Sequence, residues 1–265
     1  MKIERAVDLK AVSDFFLASP WKYQYHLGHM ATGSPEATEY VCAYEGGDIS
    51  DVCVVMKGRY RYCFLFAKDE NTAGDLFDAA FKDFKGEFGI QADEAGVLFL
   101  KKRFPQAGFK AYTQYKLETN ILLPPAIKHE EYIYRINESD FEALEEFFKG
   151  NHPDHWFLKH MLKTGHYYCA RKNSKILAAA GVHFASKEFS TAAIGNVVTA
   201  ADERGKGWGK IISAYTAMKL WGEFDRVGLR AEKTNDAANK IYLKLGFLPV
   251  NEVGIGGMTK GEEQG

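Results

Sequence analysis

The sequence predicts a mixed α/β fold built as two successive halves. Three observations point there. Short apolar runs alternate with segments of helical period along the whole chain. A Pro124-Pro125 step stands near the middle, in LETNILLPPAIKHEEY, where two prolines disfavour helix and supply no donors to a sheet. A glycine-rich loop over 204–210 follows one strand-like run and opens a helical one. The boundary is placed at residue 127, giving domains 1–127 and 128–265.

In the first half the pattern predicts a helix over 8–18, strands over 39–44, 52–56 and 59–66, helices over 72–84 and 94–103, and a strand over 109–117. In the second half, Ser139 or Asp140 caps a helix reaching Lys149, with Phe141, Leu144, Phe147 and Phe148 on one face. A polar break over 151–155 leads into a helix over 154–164. Strands over 166–171, 176–184 and 192–199 follow, then the glycine loop and a helix over 207–221. A strand over 226–232, a helix over 235–245 stopped by Gly246, and a strand over 247–253 complete the series, and the tail over 254–265 is expected to fray in part. The order describes a mixed sheet with helices on both faces.

Composition excludes several classes. Hydrophobic residues make up 46% and charged residues 26% of 265 positions, an ordinary globular balance that argues against disorder. With 34 basic against 35 acidic residues the net charge is −1, so a nucleic-acid partner is not expected. No apolar run approaches the ~20 residues that cross a bilayer, and the charged, amphipathic start does not read as a signal peptide. Four cysteines without paired spacing (Cys42, Cys53, Cys63, Cys169) are expected to be buried, reduced thiols of a cytoplasmic protein.

The chemical signal is Arg204-Gly205-Lys206-Gly207-Trp208-Gly209-Lys210. Its glycines let the backbone approach a ligand and turn several N–H groups to one side. The helix that follows adds unpaired donors and the positive end of its dipole, which together suit a pyrophosphate. Lys206 and Lys210 are expected to add charge. A second stretch, Asn235-Asp236-Ala237-Ala238-Asn239-Lys240-Ile241-Tyr242-Leu243-Lys244-Leu245-Gly246-Phe247, also follows a strand.

The pair resembles the GNAT acetyltransferase superfamily over roughly 130–255. Arg204, Gly207 and Gly209 match the loop after that family's fourth strand, and Asn235, Ala238, Tyr242, Lys244, Gly246 and Phe247 match the helix after its fifth. The resemblance implies a mostly antiparallel sheet flanked by helices. It implies acetyl-CoA as co-substrate and no metal. It places Val197, Val198 and Thr199 along the pantetheine arm, one of their N–H groups polarising the thioester carbonyl. It places the pyrophosphate on Gly205, Lys206, Gly207, Trp208, Gly209 and Lys210, with Asn235 touching the cofactor near the pantetheine. Tyr242 would protonate the departing thiolate, a role that suits a phenol of ordinary pKa about 10.

The resemblance leaves the base for the acceptor amine open. Arg230 stands where some members have a glutamate, with Glu232 two residues on and His183 and Asn196 on neighbouring strands. Residues over 151–156, among them His155 and Trp156, border the acceptor side in the family. The implied activity is acetyl transfer to a primary amine of a small molecule, by direct attack in a ternary complex. A non-catalytic acyl-CoA sensor and an enzyme acting on a protein or peptide amine are the alternatives, and a homodimer is possible.

The first half carries an echo of the same pattern. Residues 95–104 align with 238–247, but Phe99 replaces Tyr242 and Arg103 replaces Gly246. The loop over 68–74 is acidic and lacks the glycine spacing, so it should repel a pyrophosphate. The expectation is a degenerate GNAT-like domain without a cofactor site. His152-x-x-His155 with His160, and His26-x-x-His29, do not have the spacing of a closed metal site. Arg59-Tyr60-Arg61-Tyr62 reads as alternation on a half-buried strand.

Overall fold

The computed structural model describes all residues except 7, 34, 59, 60, 119–127, 154 and 262–265. Two compact units emerge, 114–250 and 1–113 together with 251–265. They do not divide at 127/128, and the Pro124-Pro125 step lies outside the described residues.

The first unit runs β1 (Lys2–Arg5), α1 (Leu9–Ala18), α2 (Gln24–Thr32), β2 (Thr38–Glu45), β3 (Asp48–Met56), β4 (Arg61–Phe66), α3 (Glu70–Phe81), β5 (Gly86–Ala92), α4 (Glu94–Arg103) and the start of β6 (Phe109–Leu117). Strands β1 to β4 pair antiparallel in chain order, and β5 lies parallel to β4. The sequence pattern misses β1, α2 and β5. β1 is too short to show a period. α2 buries Gln24 and His26 beside Tyr25 and Leu27, so it lacks a polar face to mark its period. Caps are clear: Asp8, Asp69 and Asp93 each accept backbone N–H groups at the starts of α1, α3 and α4.

The second unit runs β7 (Ile133–Ile136), α5 (Phe141–Asn151), β8 (Tyr167–Lys172), β9 (Lys175–Ser186), β10 (Thr191–Thr199), α6 (Trp208–Trp221), β11 (Arg226–Glu232), α7 (Asp236–Lys244) and β12 (Phe247–Lys260). Its strand order is β6-β11-β10-β9-β8-β7, with β10 and β11 parallel and β7 to β10 antiparallel. The helix expected over 154–164 is a 3-10 stretch, Lys159–Thr164, preceded by irregular chain. His155 shows one reason, because its Nδ1 bonds the His152 carbonyl at 2.9 Å in a local turn.

β12 is longer than its apolar pattern suggests. Residues 251–260, read from the sequence as strand to 253 and then tail, belong to the first unit and pair antiparallel with β5 from Gly254↔Ala92 to Lys260↔Gly86. Lys260 Nζ bonds the Phe81 carbonyl at 2.6 Å, which holds that end. All four cysteines are buried free thiols. No helix among the described residues is long and apolar enough to cross a membrane.

Candidate functional site

The parallel pair of the second unit is where the strands part. β10 and β11 are in register from Thr191↔Arg226 to Ile194↔Leu229, and pairing then stops although both strands continue, to Thr199 and Glu232. Two bulges in the β9–β10 ladder lie at that point. One adds a residue to β9 between Val182 and Phe184, which is His183. The other sets Asn196 and Val197 of β10 against one residue of β9. Bulges bend a strand and raise its twist, so β10 turns away from β11 here. Asn196 takes a φ of 51°, the left-handed region that asparagine tolerates better than most residues.

Glycines and rings explain why this shape holds. Gly181 and Gly195 face each other across the bulged strands. A Cβ on Gly181 would stand 2.2 Å from the Tyr167 ring, and one on Gly195 would stand 2.4 Å from His183 Nε2. Tyr167 is fully buried, donates to the Val182 carbonyl at 3.0 Å and accepts from Asn196 Nδ2 at 2.9 Å. Burial pushes its phenol well above the ordinary range. The Asn196–Tyr167 bond therefore locks the bulge to the core.

The loop after β10 turns on its glycines. Gly205 and Gly207 have φ of 79° and 90°. Space around each is open, with no atom within 4 Å of where a Cβ would be. Gly207 is the N-cap of α6, whose first-turn N–H groups follow. Gly209 has a different reason: a Cβ there would press on Thr199 Oγ1 at 3.0 Å, so glycine lets the start of α6 close on the end of β10. A pyrophosphate fits this opening because the left-handed glycines leave room and the helix end supplies donors.

The polar residues of the loop act partly in ways the motif does not reveal. Arg204 Nη2 bonds the Asn151 carbonyl at 3.0 Å, and Asn151 Oδ1 accepts from the Ala201 N–H at 2.8 Å. Both bonds tie the loop to the end of α5. Lys206 is 3.1 Å from Glu203, which also receives Lys175, so its charge is partly neutralised within the loop. Lys210 stands exposed on the first turn of α6. Trp208 packs near His129 and Tyr132, with ring centroids 5.5 and 6.3 Å away, anchoring the helix start.

On α7, Asn235 Oδ1 accepts from the Ala238 N–H at 3.1 Å, so its side chain is a helix cap. Tyr242 is 6% exposed, its ring 6.2 Å from Tyr115 and 5.9 Å from Phe247. Asn239 links this helix to its surroundings: it accepts from Tyr115 at 2.9 Å and donates to the Glu232 and Lys233 carbonyls. Sequence reading passes over Asn239 and Tyr115. The signal available was the repeat of asparagine four residues after Asn235, on the helix turn that follows the cap.

The acceptor-side candidates divide. Trp156, 52% exposed, has its ring 6.1 Å from His183. His155 lies 5.7 Å from Phe148 and bonds its own turn, so it belongs to the local structure there. Burial first, and Arg230 second, push the His183 imidazole down to about 4. A ring so reluctant to take a proton is a poor general base at neutral pH. Arg230 is held by Gln114, whose Oε1 accepts from Nε at 2.9 Å and from Nη2 at 2.8 Å. Among the described residues no group of three or more His, Cys, Asp or Glu is placed to hold a metal.

The first unit has the same order of elements without the opening. β4 and β5 stay paired to Leu65↔Ala92, at their ends. Asp93 then closes the place where the second unit parts: its carboxylate accepts from the Ala67 N–H at 3.0 Å and the Gly96 N–H at 3.2 Å. Lys22 lies 3.4 Å away from it. The His26 imidazole sits in a ring of Phe16, Tyr23, Phe64 and Phe66, the surroundings of a core residue. Arg61 lies over Phe84 and Tyr62 accepts from Gln91, which fits alternation on a strand; Arg59 and Tyr60 lie outside the described residues.

Comparison with known proteins agrees with this geometry. Residues 130–247 match the family described as Acetyltransferase (GNAT) family. No curated protein matches the chain. Among solved structures, the chain is similar to a protein from Drosophila malonogaster at TM-score 0.68 and 11% identity, covering 96% of this chain and 97% of that one. It is similar to a tandem GNAT protein from the clavulanic acid biosynthesis pathway at TM-score 0.58 and 11% identity, covering 99% and 100%. A GNAT-family acetyltransferase from Colwellia psychrerythraea aligns at TM-score 0.57 and 16% identity, covering 98% and 100%. At these identities the structures speak for the fold, a mixed sheet in a two-unit layout. Residues 130–247 thus form a domain of the GNAT acetyltransferase family, and the first unit repeats that domain's order of elements.

Proposed function

We propose that the second unit is an N-acetyltransferase that moves the acetyl group of acetyl-CoA to a primary amine of a small molecule, by direct attack in a ternary complex. The observation that carries this is the parting of β10 and β11 past Ile194 and Leu229, beside a helix that opens on two left-handed glycines. The backbone N–H groups over 205–210 hold the pyrophosphate, with Lys210 adding charge. Backbone groups of Val197, Val198 and Thr199 face the pantetheine arm, and one N–H polarises the thioester carbonyl. Tyr242 gives its phenolic proton to the sulfur as the C–S bond breaks. Asn235 contributes by capping α7, which sets where Tyr242 stands. Holding both reactants in one cleft supplies much of the acceleration. Four reduced, buried cysteines suit a cytoplasmic setting.

The test is calorimetric titration with acetyl-CoA, beside a Gly207→Glu variant that places a carboxylate in the cradle. One site per chain, lost in the variant, is the expected result. Two sites per chain would overturn the reading of the first unit as silent, and no binding would overturn the donor site. Binding without thiol release to any amine would favour the sensing alternative.

A further inference from the structure

Resting on that reading of the donor site, we infer that the acceptor is a small amine that also bears a carboxylate, received by Arg230 where β10 and β11 part, beside Trp156 and His183. Four strands set the row. Gly195 is the first residue of β10 beyond the last paired position, and Arg230 is the first of β11. The His183 ring of β9 lies across Gly195, and Gln114 of β6 holds Arg230 from the other side.

The chemistry of this row is selective. Gln114 engages Nε and Nη2 through one oxygen, so the guanidinium plane is fixed and is not free to swing away. A fixed guanidinium suits the planar, two-oxygen geometry of a carboxylate. His183 remains neutral beside it and brings no charge to compete. Trp156 offers an exposed ring next to that imidazole, an apolar wall for the rest of a small acceptor. The same cation disfavours a bound ammonium, so the amine is held more readily in the neutral form that attacks. An acceptor with its own carboxylate would be drawn to this guanidinium.

The experiment measures thiol release from acetyl-CoA with the full chain. Six α-amino acids of differing side chain and β-alanine are each compared with their carboxamide. The carboxamides have the less basic amine, so a preference for the acid runs against intrinsic reactivity. For the best acceptor, kcat/KM is expected to exceed that of its amide by about tenfold or more, the scale of one charge-assisted bidentate contact. Arg230→Met should shrink that ratio to about threefold or less with acetyl-CoA affinity unchanged, and Arg230→Lys should restore part of it. Amides used as well as acids by the native chain would overturn the inference without any variant. So would a preference that survives Arg230→Met, or acetyl-CoA binding with thiol release to none of the carboxylate-bearing amines. A chain that does not bind acetyl-CoA fails the donor reading instead.

Discussion

His183 shows how one residue's surroundings set its chemistry. Its imidazole is pushed down to about 4 because it is buried and faces Arg230. In the unfolded chain it takes a proton near its ordinary 6.5, while in the folded chain it does not until about pH 4. Stability from this group is therefore full above pH 6.5 and falls as pH drops toward 4, by up to about 3 kcal/mol. A His183→Asn variant should lose less stability than the native chain between pH 7 and 5, as read from urea midpoints. His166 is also shifted down by burial, so the variant keeps part of that slope. At Tyr242, removing only the hydroxyl tests the proposed acid role. Tyr242→Phe should lower turnover about 100-fold or more, the range for one positioned proton donor, and leave acetyl-CoA affinity within a few fold. Full activity in that variant would exclude Tyr242 as the acid.

At the scale of elements, the opening depends on bulges and on what glycine permits. Gly195→Ala would drive a methyl into the His183 ring, at a cost of about 1–3 kcal/mol. Combining it with His183→Ala should recover part of that loss, and additive losses in chemical denaturation would show that the ring contact is not the cause. Asn151 joins α5 to the cradle loop through the Ala201 N–H and through Arg204. Asn151→Ala removes the first of these bonds, and acetyl-CoA binding should weaken several-fold while Tyr242 chemistry is untouched. Legibility differs between these parts. The cradle loop, α6, β11 and α7 were readable because glycine spacing and helix caps act over a few residues. The bulges were not readable, because Asn196 and His183 look like ordinary strand residues until the register is known. The helix expected over 154–164 failed because local turn bonds near His152 and His155 compete with helix.

At the scale of the molecule, the C-terminal strand is shared out in an unexpected way. Residues 251–260 complete the sheet of the first unit beside β5, although they follow the second unit in the chain. A chain ending at residue 250 should leave β5 with an exposed edge and lose order in residues 1–113. Limited proteolysis read by mass spectrometry checks this: rapid cleavage within 1–113 is expected, and a first unit as resistant as in the full chain would refute it.

The glycine loop over 204–210, the helix with Tyr242, the succession from β8 to α7 in the second unit and the acidic loop over 68–74 in the first were present in the linear text. Each rests on backbone conformations or helix periods that neighbouring residues set by themselves. Three things awaited the fold. They are the parting of β10 and β11, the row of Gln114, Arg230, Gly195 and His183 across four strands, and the return of 251–260 to the first unit. Their causes are cross-strand registers between residues far apart in sequence. A shift of one residue would turn each side chain to the opposite face, and only packing of the whole core selects the register.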